Sequence, residues 1–420
     1  MQEKQAPDPL AERILGARLG RPVRPGEIVA VEVDRIMAHD GSGPTAARAL
    51  ERHGIGHLRG AERAVIVFDH YYPPASEREA ELHSVARAFA AQYGIPVLAG
   101  VGISHQVLPE RGLLAPGTVF VGGDSHSCTA GAFGVLGIGL GATDVAGVLA
   151  SGHVWLEVPE TVRIRLEGSL GPGVGGQDLI LHILGLVGTS GALGKAVEFV
   201  GPAIEGLEIA DRMKLANHTV EMGAVAGLVG VDSRCLAWLE DRGADVSQAD
   251  VAAHDPVGDG ADFEVHLDQV EPLIALPSRP DQVAPLGTAP DAKVDQVFIG
   301  SCAGGRLEDL RVAARVLDGE QIHPGLRLLI GPASAEVLDA AMADGTLGIL
   351  LKAGATLLPP GCGACLGRLG TLGAGEVAVA TQNRNFVGRA GSSSSRLYLA
   401  SPATAARAAL TGRIPRETAS

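Results

Sequence analysis

Cysteine is scarce in this chain, with 5 in 420 residues. So few cannot form a disulfide framework, and a reducing cytoplasm is the default expectation. A basic surplus is also missing: the net charge is −14. That argues against nucleic acid as a partner, because phosphate binding needs a basic footprint. Anionic small substrates stay open, since they respond to local Arg and His rather than to the global sum. No apolar run approaches the roughly 18 residues of a membrane span. The opening "MQEKQAPDPLAERILG" lacks the apolar centre of a signal peptide. No repeat of fixed period is present, and low complexity is confined to "GSSSS" at 391–395.

Glycine is plentiful, at 58 residues, while aromatics make up only 3%. That combination predicts many tight turns and close backbone approaches. The length predicts about two to four domains. "EIVAVEVD" (27–34), "AVIVFDH" (64–70) and "TVFVGG" (118–123) read as strands. "SEREAELHSVARAFAAQYG" (76–94) has helical spacing, with Ser76 as candidate N-cap and Gly94 as terminator. "TVRIRLEGSL" (161–170) alternates as a strand, and "GGQDLILHILGLVG" (175–188) reads as a buried helix. The Pro-rich stretch 275–294 is the clearest domain boundary. Beyond it, "DQVFIGS" (295–301) and "LRLLIGP" (326–332) flank the amphipathic helix "RLEDLRVAARVLDG" (306–319). Strands alternating with helices predict an α/β class with mostly parallel sheets.

Ligands in such sheets sit beyond the carboxyl ends of strands, and five junctions carry polar residues there. They are Asp69-His70 and "GISHQ" (102–106), which places His105 on a loop. "GGDSHSCTAGAFG" (122–134) follows, bearing Asp124, Ser125 and His126 ahead of small residues that allow close packing. "GSCAGGRLEDLR" (300–311) has Cys302 directly after a strand, and "TQNRNFVGRAGSSSS" (381–395) bears Asn383, Arg384 and Arg389. Each has a plain reading beside the chemical one. A lone His or Asp at a strand end more often shapes a turn, and the arginines of "RNFVGR" could make surface ion pairs of little weight. Cys128 and Cys235 read as small buried residues.

For Cys302, Cys362 and Cys365 the plain reading weakens, because all three lie in Gly-rich loops. A C-x2-C can be a redox couple, half of a zinc site or part of an iron–sulfur site. Here "PPGCGACLG" (359–367) has no second C-x2-C and no paired His nearby. Three thiolates on loops suit a 4Fe–4S cluster with one iron left open, a Lewis acid for a hydroxy acid.

Together, "VGGDSHSCTAGAFG", "FIGSCAGGRLEDLR", "PPGCGACLGRLG" and "NRNFVGRAG…YLASPATAARAAL" resemble the aconitase superfamily, nearest to its isopropylmalate dehydratase and homoaconitase large subunits. The resemblance spans almost the whole chain. It implies three α/β domains, at 1–158, 159–286 and 287–420, with the cluster at their interface on Cys302, Cys362 and Cys365. It further implies reversible dehydration of a hydroxy di- or tricarboxylic acid. The nearest activity is conversion of 2- to 3-isopropylmalate in leucine biosynthesis, with homoaconitate or a dimethylmalate-type acid as alternative substrates. By the same resemblance His70 pairs with Asp69, His105 with Asp124, and His126 with Glu198, giving six catalytic candidates. His39 and Asp40 fall in a substrate-side loop, and Ser125, Arg384 and Arg389 bind substrate with Asn383 beside the cluster. The family's catalytic serine lies on a swivelling domain absent from this chain, which implies a small partner subunit. An iron-responsive RNA-binding protein is the alternative from another class, and the charge of −14 weighs against it.

Four positions depart from the family pattern. Ala303-Gly304 replaces Thr-Asn after Cys302, Gln382 stands where a small residue is usual, and Gln177 stands where Lys is typical.

Overall fold

A computed structural model describes residues 7–416, so the first six residues of the opening segment lie outside the described residues. Three sheets organise the chain. In the first, five parallel strands run in the order Val97–Ala99, Ala64–Phe68, Arg35–His39, Val119–Gly122, Leu136–Gly139. The second has four parallel strands, Ala226–Val229, Ala196–Val200, Thr161–Glu167 and Phe263–His266. The third has seven: Val283–Pro285, Leu273–Ala275, Arg396–Ala400, Val377–Ala380, Gln296–Ile299, Arg327–Ile330 and Thr356–Leu357. A separate antiparallel ribbon joins Ile28–Glu32 to His153–Glu157. The strands Ala64–Phe68, Ala196–Val200 and Gln296–Ile299 are buried at every residue. Such continuous burial is what parallel strands covered on both faces show, and Glu198 and Gln296 are the polar residues within it.

The Pro-rich stretch is not a solvated linker. Leu273–Ala275 and Val283–Pro285 pair antiparallel with each other, and Ile274 and Ala275 pair with Ala400 and Leu399. Residues assigned to the second region thus complete the third sheet. The reason is positional: proline cannot donate to a ladder, but an edge strand such as Val283–Pro285 has a free side to spare.

Local signals behave as the sequence suggests. Helix Glu77–Tyr93 starts where the Ser76 hydroxyl accepts the Glu79 N–H at 3.3 Å, and it ends at Gly94 with φ of 67°. The small residues of "GDSHSCTAGAFG" seat a 3-10 segment, Ser125–Phe133, directly on strand Ala226–Val229. A Cβ at Gly131 would lie 1.6 Å from the Gly227 carbonyl oxygen, so the first two sheets meet at a distance only glycine permits.

Both switch points carry the chemistry. In the first sheet the order reverses between Arg35–His39 and Val119–Gly122; His39 ends the first of these strands, and Asp40 and Asp124 follow them. In the third it reverses between Gln296–Ile299 and Val377–Ala380, and Cys302 and Asn383 follow those. Crevices outside such points are where open α/β sheets bind ligands. Among the described residues, no helix is long and apolar enough to cross a membrane.

Candidate active site

The third sheet delivers Cys302. The chain leaves Gln296–Ile299 through Ser301, whose φ is 75°. A non-glycine residue there is strained and survives only where its surroundings over-determine it. The Ser301 hydroxyl accepts the Ala303 N–H at 3.1 Å, and Arg306 donates to the Cys302 carbonyl at 2.6 Å. Cys362 and Cys365 stand on the turn around Gly363–Leu366. Cys362 packs against the buried group formed by Ile103, Cys302 and Ala333. All five cysteines are free thiols; Cys128 and Cys235 are buried as small core residues.

Polar N–H groups are aimed at the sulfurs. Asn217 and Asn383 donate to Cys302 Sγ at 3.3 and 3.4 Å, and Arg389 Nη2 donates to Cys365 Sγ at 3.5 Å. Burial, aided by Cys365, pushes the Cys302 thiol up to about 12. Burial likewise raises Cys362, against the lowering pull of His70. Thiols this costly to ionise alone, yet surrounded by donors that suit thiolate, fit a bound cationic group. The three residues therefore fit an iron–sulfur cluster.

Beside the thiols lies an imidazole–carboxylate cluster. His70 Nδ1 is 2.6 Å from Asp69 Oδ1, and its Nε2 is 3.3 Å from Asp124 Oδ2. Cys362 Sγ lies 3.9 Å from His70 Nδ1, and the His39 ring stacks on His70 at 3.8 Å. Burial disfavours a charged His70, but Cys362, Asp69 and Asp124 outweigh it and raise the imidazole well above its usual value. Asp124 also meets His105 Nε2 at 2.7 Å and accepts the His126 N–H at 2.8 Å. Burial would raise its carboxyl, yet His105 and the other two imidazoles hold it well below the usual range.

Four of these groups, His39, Asp40, Asp69 and His70, lie close enough together to suggest a metal site. Their oxygens are already engaged. Asp40 accepts the His70 and Tyr71 N–H groups at 3.1 and 2.8 Å and faces His83 Nε2 at 3.2 Å. Asp69 Oδ2 accepts the Ser104 N–H at 2.7 Å. These carboxylates organise the loops.

Two expectations need correction. His105 stands in the first turn of a short helix, Ser104–Glu110, rather than in a loop. The pairing of His126 with Glu198 does not form. Glu198 sits within strand Ala196–Val200, where it accepts the Leu10 N–H at 3.3 Å and faces Arg163 at 3.5 Å. His126 Nε2 instead meets Glu221 Oε1 at 3.2 Å, and Arg384 Nε donates to the same oxygen at 2.6 Å. Glu221 follows helix Ile209–His218, which also places Asn217. The sequence reading missed both residues. Their signal was the polar set Lys214, Asn217, His218 and Glu221, spaced along one otherwise buried helical segment.

Two of the remaining candidates, Asn383 and Arg389, reach the thiols. Asn383 Nδ2 also donates to Asn217 Oδ1 at 2.9 Å. Arg389 Nε is buried and has no partner among the described residues. Ser125 is exposed at the head of a groove of about 770 Å³ that runs out along Leu136, Ile138 and Leu156. The Ala303-Gly304 departure also has a cause. A Cβ at Gly304 would lie 2.3 Å from Thr381 Cβ, and the Thr381 hydroxyl occupies that space, accepting Gly300 N–H at 2.9 Å.

The sequence profile of the Aconitase family (aconitate hydratase) matches residues 12–412. The 3-isopropylmalate dehydratase large subunit 1 of Methanopyrus kandleri is 43% identical over 408 residues, 96% of this chain and 97% of that protein. The 3-isopropylmalate dehydratase large subunit of Elusimicrobium minutum is 42% identical, across 98% of this chain and 99% of that one. A probable methanogen homoaconitase large subunit of Methanosarcina mazei is 46% identical, across 91% and 98%. With a profile that matches nearly end to end and relatives aligned over almost their full length, this chain belongs to the aconitase family.

Proposed function

We propose that the chain is the large, cluster-bearing subunit of a hydro-lyase that interconverts 2- and 3-isopropylmalate, in leucine biosynthesis. The observation that carries this reading is the placing of Cys302, Cys362 and Cys365 beside the His70 imidazole, which lies 3.9 Å from Cys362 and 2.6 Å from Asp69. In this reading the three thiolates hold a 4Fe–4S cluster with one iron open. When bound, the cluster supplies Lewis acidity to the substrate's hydroxyl and carboxylate.

The chain's own residues do the rest. His70, kept protonated by Asp69 and Asp124, donates its proton to the departing hydroxyl oxygen. Asp124 holds His70, His105 and His126 in one arrangement, so the acid does not have to reorganise during the reaction. Arg389, with its unpartnered Nε, and Arg384, anchored on Glu221, receive substrate carboxylates, which a planar guanidinium matches with two parallel donors. Ser125 and His39 border the substrate. The base that removes the C–H proton comes from a serine on a small partner subunit, in keeping with relatives named as large subunits. Five free thiols suit a reducing cytoplasm.

The 46% identity to a homoaconitase large subunit supports a second reading, with homoaconitate as substrate. Both are tested together. The chain is reconstituted anaerobically with iron and sulfide, combined with its small subunit, and assayed for alkene absorbance with 2-isopropylmalate and homoaconitate. Iron content and visible absorbance are read in parallel. Cys362→Ser should lose both the absorbance and the turnover. Turnover surviving that substitution would end the cluster-dependent reading.

A further inference from the structure

The turn that carries Cys362 and Cys365 has little rigidity of its own. It holds one short 3-10 turn, Gly363–Leu366, and three glycines with positive φ, Gly361, Gly363 and Gly367. Glycine-rich backbone has much conformational freedom to lose, so something outside the turn must fix it. Arg368, three residues past Cys365, reaches back across the site. Its Nε and Nη2 form a fork on the two Glu79 oxygens at 3.1 and 2.6 Å. Nη1 donates to the His70 carbonyl at 2.9 Å and Nη2 to the Pro73 carbonyl at 3.1 Å. The guanidinium also lies 5.6 Å from the Tyr71 ring. Glu79 stands in the first turn of helix Glu77–Tyr93, where a carboxylate is favoured, and it also accepts the Ala75 N–H.

We infer that Arg368 is a positioning residue. It locks the loop bearing Cys362 and Cys365 onto the loop bearing His70, so that thiols and imidazole keep one separation. This rests on the reading above that these groups act together. An exposed ion pair would contribute little. Here the side chains are only 12% and 17% exposed, the contact is a two-point fork, and two carbonyls share the cation. A second tie, Cys362 N–H to the Asp69 carbonyl at 2.8 Å, joins the same two loops. Removing Arg368 leaves that tie as the hinge about which the cysteine turn moves.

The test uses the full chain without cluster. N-ethylmaleimide labelling under native conditions is read cysteine by cysteine by mass spectrometry. Arg368→Gln should label Cys362 and Cys365 about tenfold faster or more, the scale set by losing hydrogen bonds between charged groups. Cys128 and Cys235, buried in the core, should stay at the wild-type rate. Glu79→Gln should give the same pattern and guards against a folding defect peculiar to position 368. Arg368→Lys keeps the charge but not the fork, and should recover part of the protection. Unchanged labelling in both Arg368→Gln and Glu79→Gln would overturn the inference, as would equal acceleration at Cys128 and Cys235. Labelling does not depend on turnover, so a wild-type enzyme inactive on both acids would end the hydro-lyase reading without touching this result.

Discussion

Replacing Glu221 by Gln should damage both stability and turnover, whereas the same change at Glu198 should cost stability alone. Glu221 is buried and takes Arg384 Nε at 2.6 Å and His126 Nε2 at 3.2 Å on one oxygen. Hydrogen bonds to charged groups contribute about 1.5–3 kcal/mol each, and neutralising one member of a buried pair costs about 3–5 kcal/mol. Gln keeps the volume and one acceptor oxygen, so a loss of about 2–4 kcal/mol is expected by urea unfolding. Burial would raise the Glu221 carboxyl, but His126 and Arg384 lower it. Its stabilisation is therefore present above the unfolded carboxyl value and lost as pH falls through the lower folded one. The gap between wild type and Glu221→Gln should accordingly close in acid. In the reconstituted two-subunit enzyme, an Arg384 freed from its anchor should lower kcat/KM by about a hundredfold, the scale of a 1 Å misplacement at a reacting site. Glu198 contacts Leu10 and Arg163 instead, so Glu198→Gln should leave turnover per folded molecule near wild type. Full activity in Glu221→Gln with none in Glu198→Gln would refute this account of the His126 pairing.

Burial raises Asp178 to about 6, even though it accepts the Gly175 and Leu273 N–H groups. A carboxyl raised in the folded state binds its proton more tightly there, so stability should fall as pH rises from about 4 to about 6. The difference of about two units corresponds to about 2–3 kcal/mol. Urea midpoints at pH 4.5 and 7 should show wild type losing ground to Asp178→Asn, and parallel pH curves would contradict it. Two residues past Cys302, Gly304→Asn would put a side chain into space that Thr381 fills, with a Cβ clash at 2.3 Å. Overpacking should cost about 1–3 kcal/mol or more, read by unfolding and by iron bound on reconstitution. Adding Thr381→Gly should recover much of it. Additive losses in that cycle would show that the two positions do not compete for space.

The parts of this site that were legible in the sequence share one property: their chemistry lies in short loops directly after strands. Cys302, Asp69-His70, Asp124 and Asn383 each follow a strand that is apolar and buried. A polar residue breaking such a run has few packing explanations, so its position is informative. His105 was read on a loop but stands on a helix of seven residues, Ser104–Glu110, which is too short for periodicity to reveal. The edge strand Val283–Pro285 was hidden by its proline, which reads as linker although an edge tolerates it. Glu221 was hidden by distance, since it meets His126 across 95 residues, and the pairing of His126 with Glu198 rested on the resemblance alone. No local pattern separates those two acids. The separation comes from the helix Ile209–His218, which lies against the 3-10 segment Ser125–Phe133. That segment in turn lies on strand Ala226–Val229, where Gly131 leaves room for the Gly227 carbonyl oxygen. The same geometry carries Asn217 to Cys302, coupling the imidazole cluster of the first sheet to the thiols of the third through one helix of the second.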